Sequence, residues 1–278
     1  MNEAASAPGD GPTRGGPVAA WDGLRALGRD LFDFDRRAFV VLAYVPVALT
    51  AMEYLFLPPL RYKPPSPAWV FDAQRALADA IPGLPPSLLP WAWWGLGCVV
   101  AMILVPMLLL KVVGGMGPRA SGLRLRGTGR DAWVYLALFV VFLPVVWLAS
   151  QRPDFAQTYP FYPPRLPSSR PPVKVGGDWV AFEAIYFVQF LAVEYFFRGF
   201  MVLGLKPALG RAAILVMLAP YCMIHFHKPG LEALGAVGAG LVLGSLSYRT
   251  GTVVYGWFLH YAVALSMDLL SLSQSGRL

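Results

Sequence analysis

The chain contains several apolar runs of about 20 residues, the length that a helix needs to cross the hydrocarbon core of a bilayer. One of them extends from Trp179 to Leu205. Only 14% of the 278 residues are charged, whereas soluble domains carry about 25%. Inside a bilayer all backbone groups must find hydrogen bonds within the protein, and for runs of this kind only helices achieve this. The sequence therefore predicts an all-α, polytopic transmembrane helical bundle.

About seven spans are predicted along the chain. They lie near residues 38–60, 90–113, 132–150, 179–205, 212–226, 231–248 and 253–272. The residues before the first span divide into a Gly/Pro-rich tail and an amphipathic stretch at 20–37, whose spacing suits a helix on the membrane surface. We accordingly divide the chain into three parts: 1–37, a disordered tail plus an interfacial amphipathic helix; 38–177, the N-terminal spans and Pro-rich loops; and 178–278, a catalytic core.

Lys and Arg residues in the loops predict the orientation of the bundle. The N-terminal segment and the loops at 114–131 and 206–211 are basic, whereas the long loops at 61–89 and 151–177 carry fewer basic residues for their length. We therefore expect a cytoplasmic N-terminus. The net charge of +7 fits this pattern, and no basic stripe with interleaved aromatic residues predicts a nucleic-acid partner. The 151–177 loop could be a lid, a binding loop or a tether.

Two opposite charges lie inside the Trp179–Leu205 run. Glu194 and Arg198 are four residues apart, so they share a helix face and can pair, with the glutamate on the favoured N-terminal side. Unpaired, each would cost about 2.5 to 3.5 kcal/mol at the bilayer centre. Intramembrane ionisable groups are functional candidates by default. Two histidines, His225 and His260, lie at comparable depth, and we expect the other spans to bring them to Glu194.

The order of these motifs resembles the CPBP intramembrane proteases, also called the Abi or CAAX-protease-like family. That family has the pattern EExxxR, then FxxxH, then HxxxN or HxxxD. In this chain EYFFRG holds Glu194 and Arg198, YCMIH ends at His225, and LHYAVALSMD holds His260. Each motif is weak alone, but the three occur in order, each in its own span. The resemblance covers roughly residues 178–272.

The chain departs from the family pattern at three positions. Val193 stands where the family has its first glutamate, and Ala264 stands where Asn or Asp is usual. Tyr221 replaces the usual Phe, which is a milder change. Asp268, two turns beyond His260 and about 80° round the helix, could substitute for the missing polar group. These departures indicate a divergent branch, or a branch that has lost the activity.

The resemblance implies glutamic-type peptide hydrolysis within the membrane. In the family the first glutamate acts on the water, and Val193 occupies its position here. The residues themselves are compatible with the same chemistry: Glu194 could act as the base, and Arg198 would orient it and keep it ionised. His225 would share the water or shuttle its proton, and His260 would donate to the oxyanion. Tyr221 and Asp268 are supporting candidates. The implied substrate is a membrane-anchored protein cleaved close to the bilayer, at a C-terminal anchor for example, and no cofactor is expected.

Two alternatives stay open. Glu194, His225 and His260 could instead bind zinc, because two histidines and a glutamate form a ligand set of catalytic zinc sites, although the chain has no HExxH motif. The protein could also be a non-catalytic membrane scaffold or chaperone of the same fold, a reading that Val193 and Ala264 favour. The abundance of Gly, Ala, Arg and Pro indicates a bacterial source, hence an inner (cytoplasmic) membrane location.

Overall fold

The computed structural model describes residues 21–23, 25–26, 35–57, 66–125, 129–162 and 175–278. Regular structure in these residues is helical, and none of them forms a strand, which confirms the predicted all-α class. The predicted N-terminal tail and most of the predicted interfacial helix lie outside the described residues, although 21–23 and 25–26 are helical.

We number the main helices in chain order. They are α1 (Arg36–Phe56), α2 (Ala68–Ala80), α3 (Leu89–Gly114), α4 (Ala132–Ser150), α5 (Pro153–Thr158), α6 (Gly177–Leu209), α7 (Ala212–Met223), α8 (Gly230–Thr250) and α9 (Val254–Gln274). Helix α6 is central, because it packs against α3, α7, α8 and α9. The bundle is therefore organised around the helix that carries Glu194.

Five helices are long and apolar enough to cross a membrane, namely α1, α3, α4 with the turn before it, α6 and α8. The other two predicted spans differ. Helix α7 has only 12 residues, which at 1.5 Å per residue gives about 18 Å, short of the ~30 Å hydrocarbon core. Helix α9 has 21 residues, but His260, Asp268 and its serines make it less apolar than a typical span.

Helix α6 changes geometry directly after Glu194. Its first part is α-helical to Glu194, and residues Tyr195–Leu203 form wider π-helical turns that are wholly buried. Segments of π-helix are rare and are frequently found at functional sites. Arg198 is one of these nine consecutive π-helical residues. The charged pair therefore lies at the junction of the two helical forms.

The basic segments meet at one end of the bundle. The Arg37 side chain donates a hydrogen bond to the carbonyl of Gly114 (2.9 Å), which joins the start of α1 to the end of α3. Lys206 donates to the carbonyl of Tyr248 (2.8 Å), which joins the end of α6 to the end of α8. Cations near helix C-termini are favoured, because the last carbonyls are unpaired and carry partial negative charge.

The loop that follows α3 at this end is partly buried. Ser121 is inaccessible to solvent, and its hydroxyl lies 2.9 Å from the hydroxyl of Tyr195 on α6. The backbone N–H of Val253 donates to the carbonyl of Gly122 (3.0 Å), so the same loop also holds the start of α9. Residues 114–125, which we call the wedge loop, therefore pack against the π-helical part of α6.

The opposite end is covered by residues Pro153–Tyr162, which we call the strap. The sequence predicted a structureless 151–177 connection, but Pro153–Thr158 is helical and the rest of the strap is tied to the bundle. Ser271 of α9 donates to the carbonyl of Tyr159 (2.6 Å), and the Tyr159 hydroxyl donates to Glu232 of α8 (2.7 Å). Residues 163–174 lie outside the described part of the chain.

Candidate active site

Glu194 and Arg198 form a fully buried ion pair. Both side chains are 0% exposed, and Nη1 of Arg198 lies 3.1 Å from Oε1 of Glu194. The four-residue spacing on one helix face produces this contact, as predicted. Each charge stabilises its partner in surroundings where a single charge would be costly to bury.

Helix α9 brings His260 to the same carboxylate oxygen. Nδ1 of His260 lies 2.8 Å from Oε1 of Glu194, and the imidazole side chain is 18% exposed. The two helices run antiparallel, and the indole N–H of Trp257 donates to the α6 carbonyl of Phe187 (2.7 Å), which fixes their alignment. The ring of Phe190 packs on the imidazole with 4.5 Å between centroids.

The hydrogen bond to Glu194 restricts what His260 can do. The carboxylate accepts, so Nδ1 carries the hydrogen and a neutral His260 presents a lone pair at Nε2. His260 could therefore donate to an oxyanion from Nε2 only as a doubly protonated imidazolium.

His225 reaches the site from the turn after α7. It is 6% exposed, and its Nδ1 lies 2.9 Å from the carbonyl oxygen of Tyr221. A carbonyl can only accept, so Nδ1 donates and Nε2 of the neutral ring is an acceptor. The Tyr221 ring centroid lies 4.9 Å from that of His225 and 6.4 Å from that of His260. The two histidines are thus joined through one tyrosine.

Tyr221 also supports the guanidinium. Cζ of Arg198 lies 4.0 Å from the centroid of the Tyr221 ring, a cation–π distance. Tyr221 itself is 1% exposed. The structure therefore places Glu194, Arg198, Tyr221, His225 and His260 in one buried cluster.

Several polar atoms of this cluster have no hydrogen-bond partner. They include Oε2 of Glu194 and all three nitrogens of Arg198, because the 3.1 Å contact of Nη1 lacks hydrogen-bond geometry. A Cβ atom at Gly256 of α9 would lie 3.0 Å from Oε2. Buried polar groups without partners are uncommon and call for an explanation. Here they mark the side of the carboxylate on which a water or a substrate oxygen could bind.

The alternative zinc ligands, Glu194, His225 and His260, are not arranged to bind one metal ion together. Among the described residues no group of three or more His, Cys, Asp or Glu side chains could hold a metal ion. Glu194 and His260 are bonded to each other, and Nδ1 of His225 is bonded to a backbone carbonyl. The residues in this arrangement do not fit a zinc site, and we derive no step through a metal.

Asp268 has a different place from the one expected. It is fully buried, and its Oδ1 accepts the backbone N–H of Phe161 (3.1 Å), so it fastens the strap. Val193 and Ala264 are 4% and 6% exposed, and their side chains are apolar. These two positions, where the family pattern has polar residues, therefore add no polar group to the cluster.

A second buried carboxylate on α6 was not predicted from the sequence. Glu183 lies three turns before Glu194 on the same face, is 6% exposed, and accepts a hydrogen bond from the hydroxyl of Tyr261 (3.1 Å). The signal was the same as for Glu194, a carboxylate inside an apolar run. Gly256 was also missed, because its closeness to Glu194 depends on the helix packing.

The region around Glu194 is similar to a known protein family. Residues 176–266 match the family described as Type II CAAX prenyl endopeptidase Rce1-like, which is roughly one third of the chain. The match confirms the predicted resemblance to the CAAX-protease-like family and includes Glu194, Arg198, His225 and His260. No curated protein matches the chain, and no solved structure matches it. The five apolar helices indicate an integral membrane protein, and the matched part of the chain is similar to a family of membrane proteases.

Proposed function

We propose that the protein is an intramembrane endopeptidase that hydrolyses a peptide bond of a membrane-anchored protein, near a C-terminal anchor. The observation that carries this proposal is the asymmetry of the Glu194 carboxylate. Its Oε1 is held by His260 and Arg198, whereas the buried Oε2 has no partner. A general base needs an oriented carboxylate with a free lone pair next to the water that it activates.

The reaction follows from these positions. Oε2 of Glu194 takes a proton from the water as its oxygen bonds to the peptide carbonyl carbon. The tetrahedral intermediate then collapses, the C–N bond breaks, and the leaving nitrogen receives the proton. His225 is the proposed shuttle for that proton, because Nε2 of its neutral ring is an acceptor. Arg198 keeps Glu194 ionised before each turnover.

Among the described residues, a substrate has one exposed route to the cluster, which passes His260. Glu194 and Arg198 are fully enclosed and His225 nearly so, but the His260 side chain is 18% exposed. A substrate that enters past His260 would reach Oε2 after a small displacement of α9 or its neighbours. A substrate segment must therefore unwind locally, since backbone hydrogen bonds inside a helix shield its carbonyl carbons.

We further propose residues 178–278 as the catalytic core and the cytoplasmic membrane of a bacterium as the location. The core contains the whole cluster around Glu194. The basic segments at 35–37, 114–125 and 206–211 lie at one end of the bundle, which the positive-inside rule assigns to the cytoplasm together with the N-terminus.

The test uses the purified protein in vesicles with a membrane-anchored reporter that releases a fragment when cleaved. Wild type, Glu194→Gln and His225→Ala are compared with and without a chelator. We expect cleavage by wild type, unaffected by the chelator, and none by either variant. Normal cleavage by Glu194→Gln would contradict the assignment of the base, and chelator sensitivity would favour the zinc alternative.

A second function is favoured by a specific observation. The two polar positions missing from the family pattern, Val193 and Ala264, are filled by buried apolar side chains. A non-catalytic scaffold or chaperone that binds a transmembrane segment would keep Glu194 and Arg198 as a structural pair. Under this alternative the wild type would bind anchored substrates without cutting any of them.

A further inference from the structure

The guanidinium of Arg198 has more hydrogen-bonding capacity than its partner uses. The group carries five N–H donors and stays protonated inside proteins. It is 0% exposed, its Nη1 lies 3.1 Å from Oε1 of Glu194, and none of its three nitrogens has a partner in hydrogen-bond geometry. Its charge therefore balances Glu194, while most of its donors are available to another acceptor.

The other basic side chains of the cluster are poorly placed to donate. Nδ1 of His260 is bonded to Glu194 and Nδ1 of His225 to the Tyr221 carbonyl. The neutral rings then offer only acceptors. Ala264, where the family pattern has a polar residue, offers nothing. Of the guanidinium and the two imidazoles, only the guanidinium has free donors without an added proton.

Arg198 is also held in a fixed orientation. Its Cζ lies 4.0 Å from the Tyr221 ring centroid, so the planar group rests against an aromatic ring. Arg198 follows Glu194 by about one helical turn, so the donors and the free Oε2 belong to adjacent groups. Donors that are fixed before the reaction stabilise developing negative charge most effectively.

We infer that Arg198 is a catalytic residue that donates directly to the scissile carbonyl oxygen as it becomes the tetrahedral oxyanion. This inference rests on the proposed hydrolysis. As water oxygen bonds to the carbonyl carbon, the C=O π pair moves onto the oxygen, and the free N–H groups of Arg198 donate to it. When the intermediate collapses, that pair re-forms the C=O bond and the C–N pair leaves with the nitrogen.

The first test compares wild type with Arg198→Lys. Lysine keeps the positive charge beside Glu194 but lacks the planar fork of donors. We expect kcat to fall by about 10²- to 10³-fold, the effect of losing one oxyanion donor, with KM little changed. A kcat within threefold of wild type would overturn the inference. Arg249→Lys, the same substitution at an exposed arginine of α8 outside the cluster, is the matched control. Tyr221→Phe, which keeps the ring under the guanidinium and removes a hydroxyl that could also donate, is measured beside it.

We expect the control Arg249→Lys to keep a kcat near that of wild type. A large loss of kcat in Tyr221→Phe together with an unchanged Arg198→Lys would assign the donor to the hydroxyl and overturn the inference.

The second test needs no variant of Arg198 and therefore does not depend on its folding. Two uncleavable analogues of the reporter peptide are compared for binding to wild type: a phosphinate, which mimics the tetrahedral oxyanion, and a neutral hydroxyethylene. We expect the phosphinate to bind at least about tenfold more tightly. Equal binding of the two analogues by an enzyme that cleaves the reporter would refute the role of Arg198 and leave the proposed hydrolysis intact. A wild type that neither cleaves the reporter nor binds either analogue would refute the proposed function itself.

Discussion

Glu194 and His260 meet across the α6–α9 interface with 2.8 Å between Oε1 and Nδ1. They are 66 positions apart in the chain, and the antiparallel packing of the two helices joins them. This bond and the Arg198 contact both use Oε1. The carboxylate is therefore fixed at one oxygen and free at the other.

Gly256 is expected to be required beside the free oxygen. A Cβ atom there would lie 3.0 Å from Oε2 of Glu194, and Oε1 is already held, so the carboxylate cannot move away without losing a partner. Gly256→Ala should lower the cleavage rate by up to about 10²-fold, as expected for a displacement of a catalytic group by a fraction of an ångström to 1 Å. Reporter cleavage in vesicles measures this effect.

Gly235→Ala is the matched control for that variant. Gly235 lies within α8, and a Cβ there would meet nothing within 4 Å. The control should cleave normally and be equally stable or more stable, since Ala favours helix over Gly by about 0.5 to 1 kcal/mol. Equal rates for Gly256→Ala and wild type would show that Oε2 does not take part.

The buried ion pair predicts strong coupling between its two members. Removing one charge leaves the other buried and uncompensated, which costs about 3 to 5 kcal/mol. Glu194→Gln and Arg198→Met should each lower the free energy of unfolding by about this amount, because both side chains are 0% exposed. The double variant should lose less than the sum. Unfolding in mixed micelles measures all four proteins, and strict additivity would show that the pair contributes no coupling.

Gly199 is expected to be required by the packing of the wedge loop. A Cβ atom at Gly199 would lie 2.5 Å from the backbone carbonyl oxygen of Ser121, and backbone cannot move aside as a flexible side chain can. Gly199→Ala should destabilise the protein by about 1 to 3 kcal/mol, the usual cost of overpacking. Gly238→Ala, where a Cβ would meet nothing within 4 Å, should not. Equal melting temperatures for the two variants would contradict this account of the wedge.

The strap should loosen when its bond to α8 is removed. Tyr159→Phe deletes the hydroxyl that donates to Oε2 of Glu232. Glu232 keeps its ion pair with Lys228, so the variant should lose about 0.5 to 1.5 kcal/mol, the usual net contribution of one hydrogen bond. We expect faster proteolysis within the strap in the native protein. Tyr54→Phe, at a tyrosine that is 51% exposed, is the control, and identical proteolysis of both variants would show that the bond does not hold the strap.

The Glu194 cluster was largely predictable, because a carboxylate, a guanidinium and two histidines in apolar runs have few alternatives to meeting one another. The i, i+4 spacing fixed the Glu194–Arg198 contact before any packing was known. The partner of His260 was also expected. What could not be predicted is which atoms are engaged, because that depends on the distance and rotation between α6 and α9.

Other features depend on contacts that sequence patterns do not carry. Helix α7 ends at Met223, before the predicted 226, because the chain turns there and His225 belongs to the turn. Asp268 fastens the strap through Phe161, a contact that joins residues 107 positions apart. The strap itself was expected to be structureless, since prolines and aromatic residues show no periodicity that reveals their packing.

The central claim is tested most directly by single-turnover cleavage of an anchored reporter in vesicles by wild type, Glu194→Gln and Glu183→Gln. The two glutamates lie on the same face of α6 and both are buried, so the pair separates the loss of a base from the loss of a buried carboxyl group. We predict that Glu183→Gln cleaves at a rate close to that of wild type, whereas Glu194→Gln forms no product. Product formation by Glu194→Gln at the wild-type rate would contradict the account.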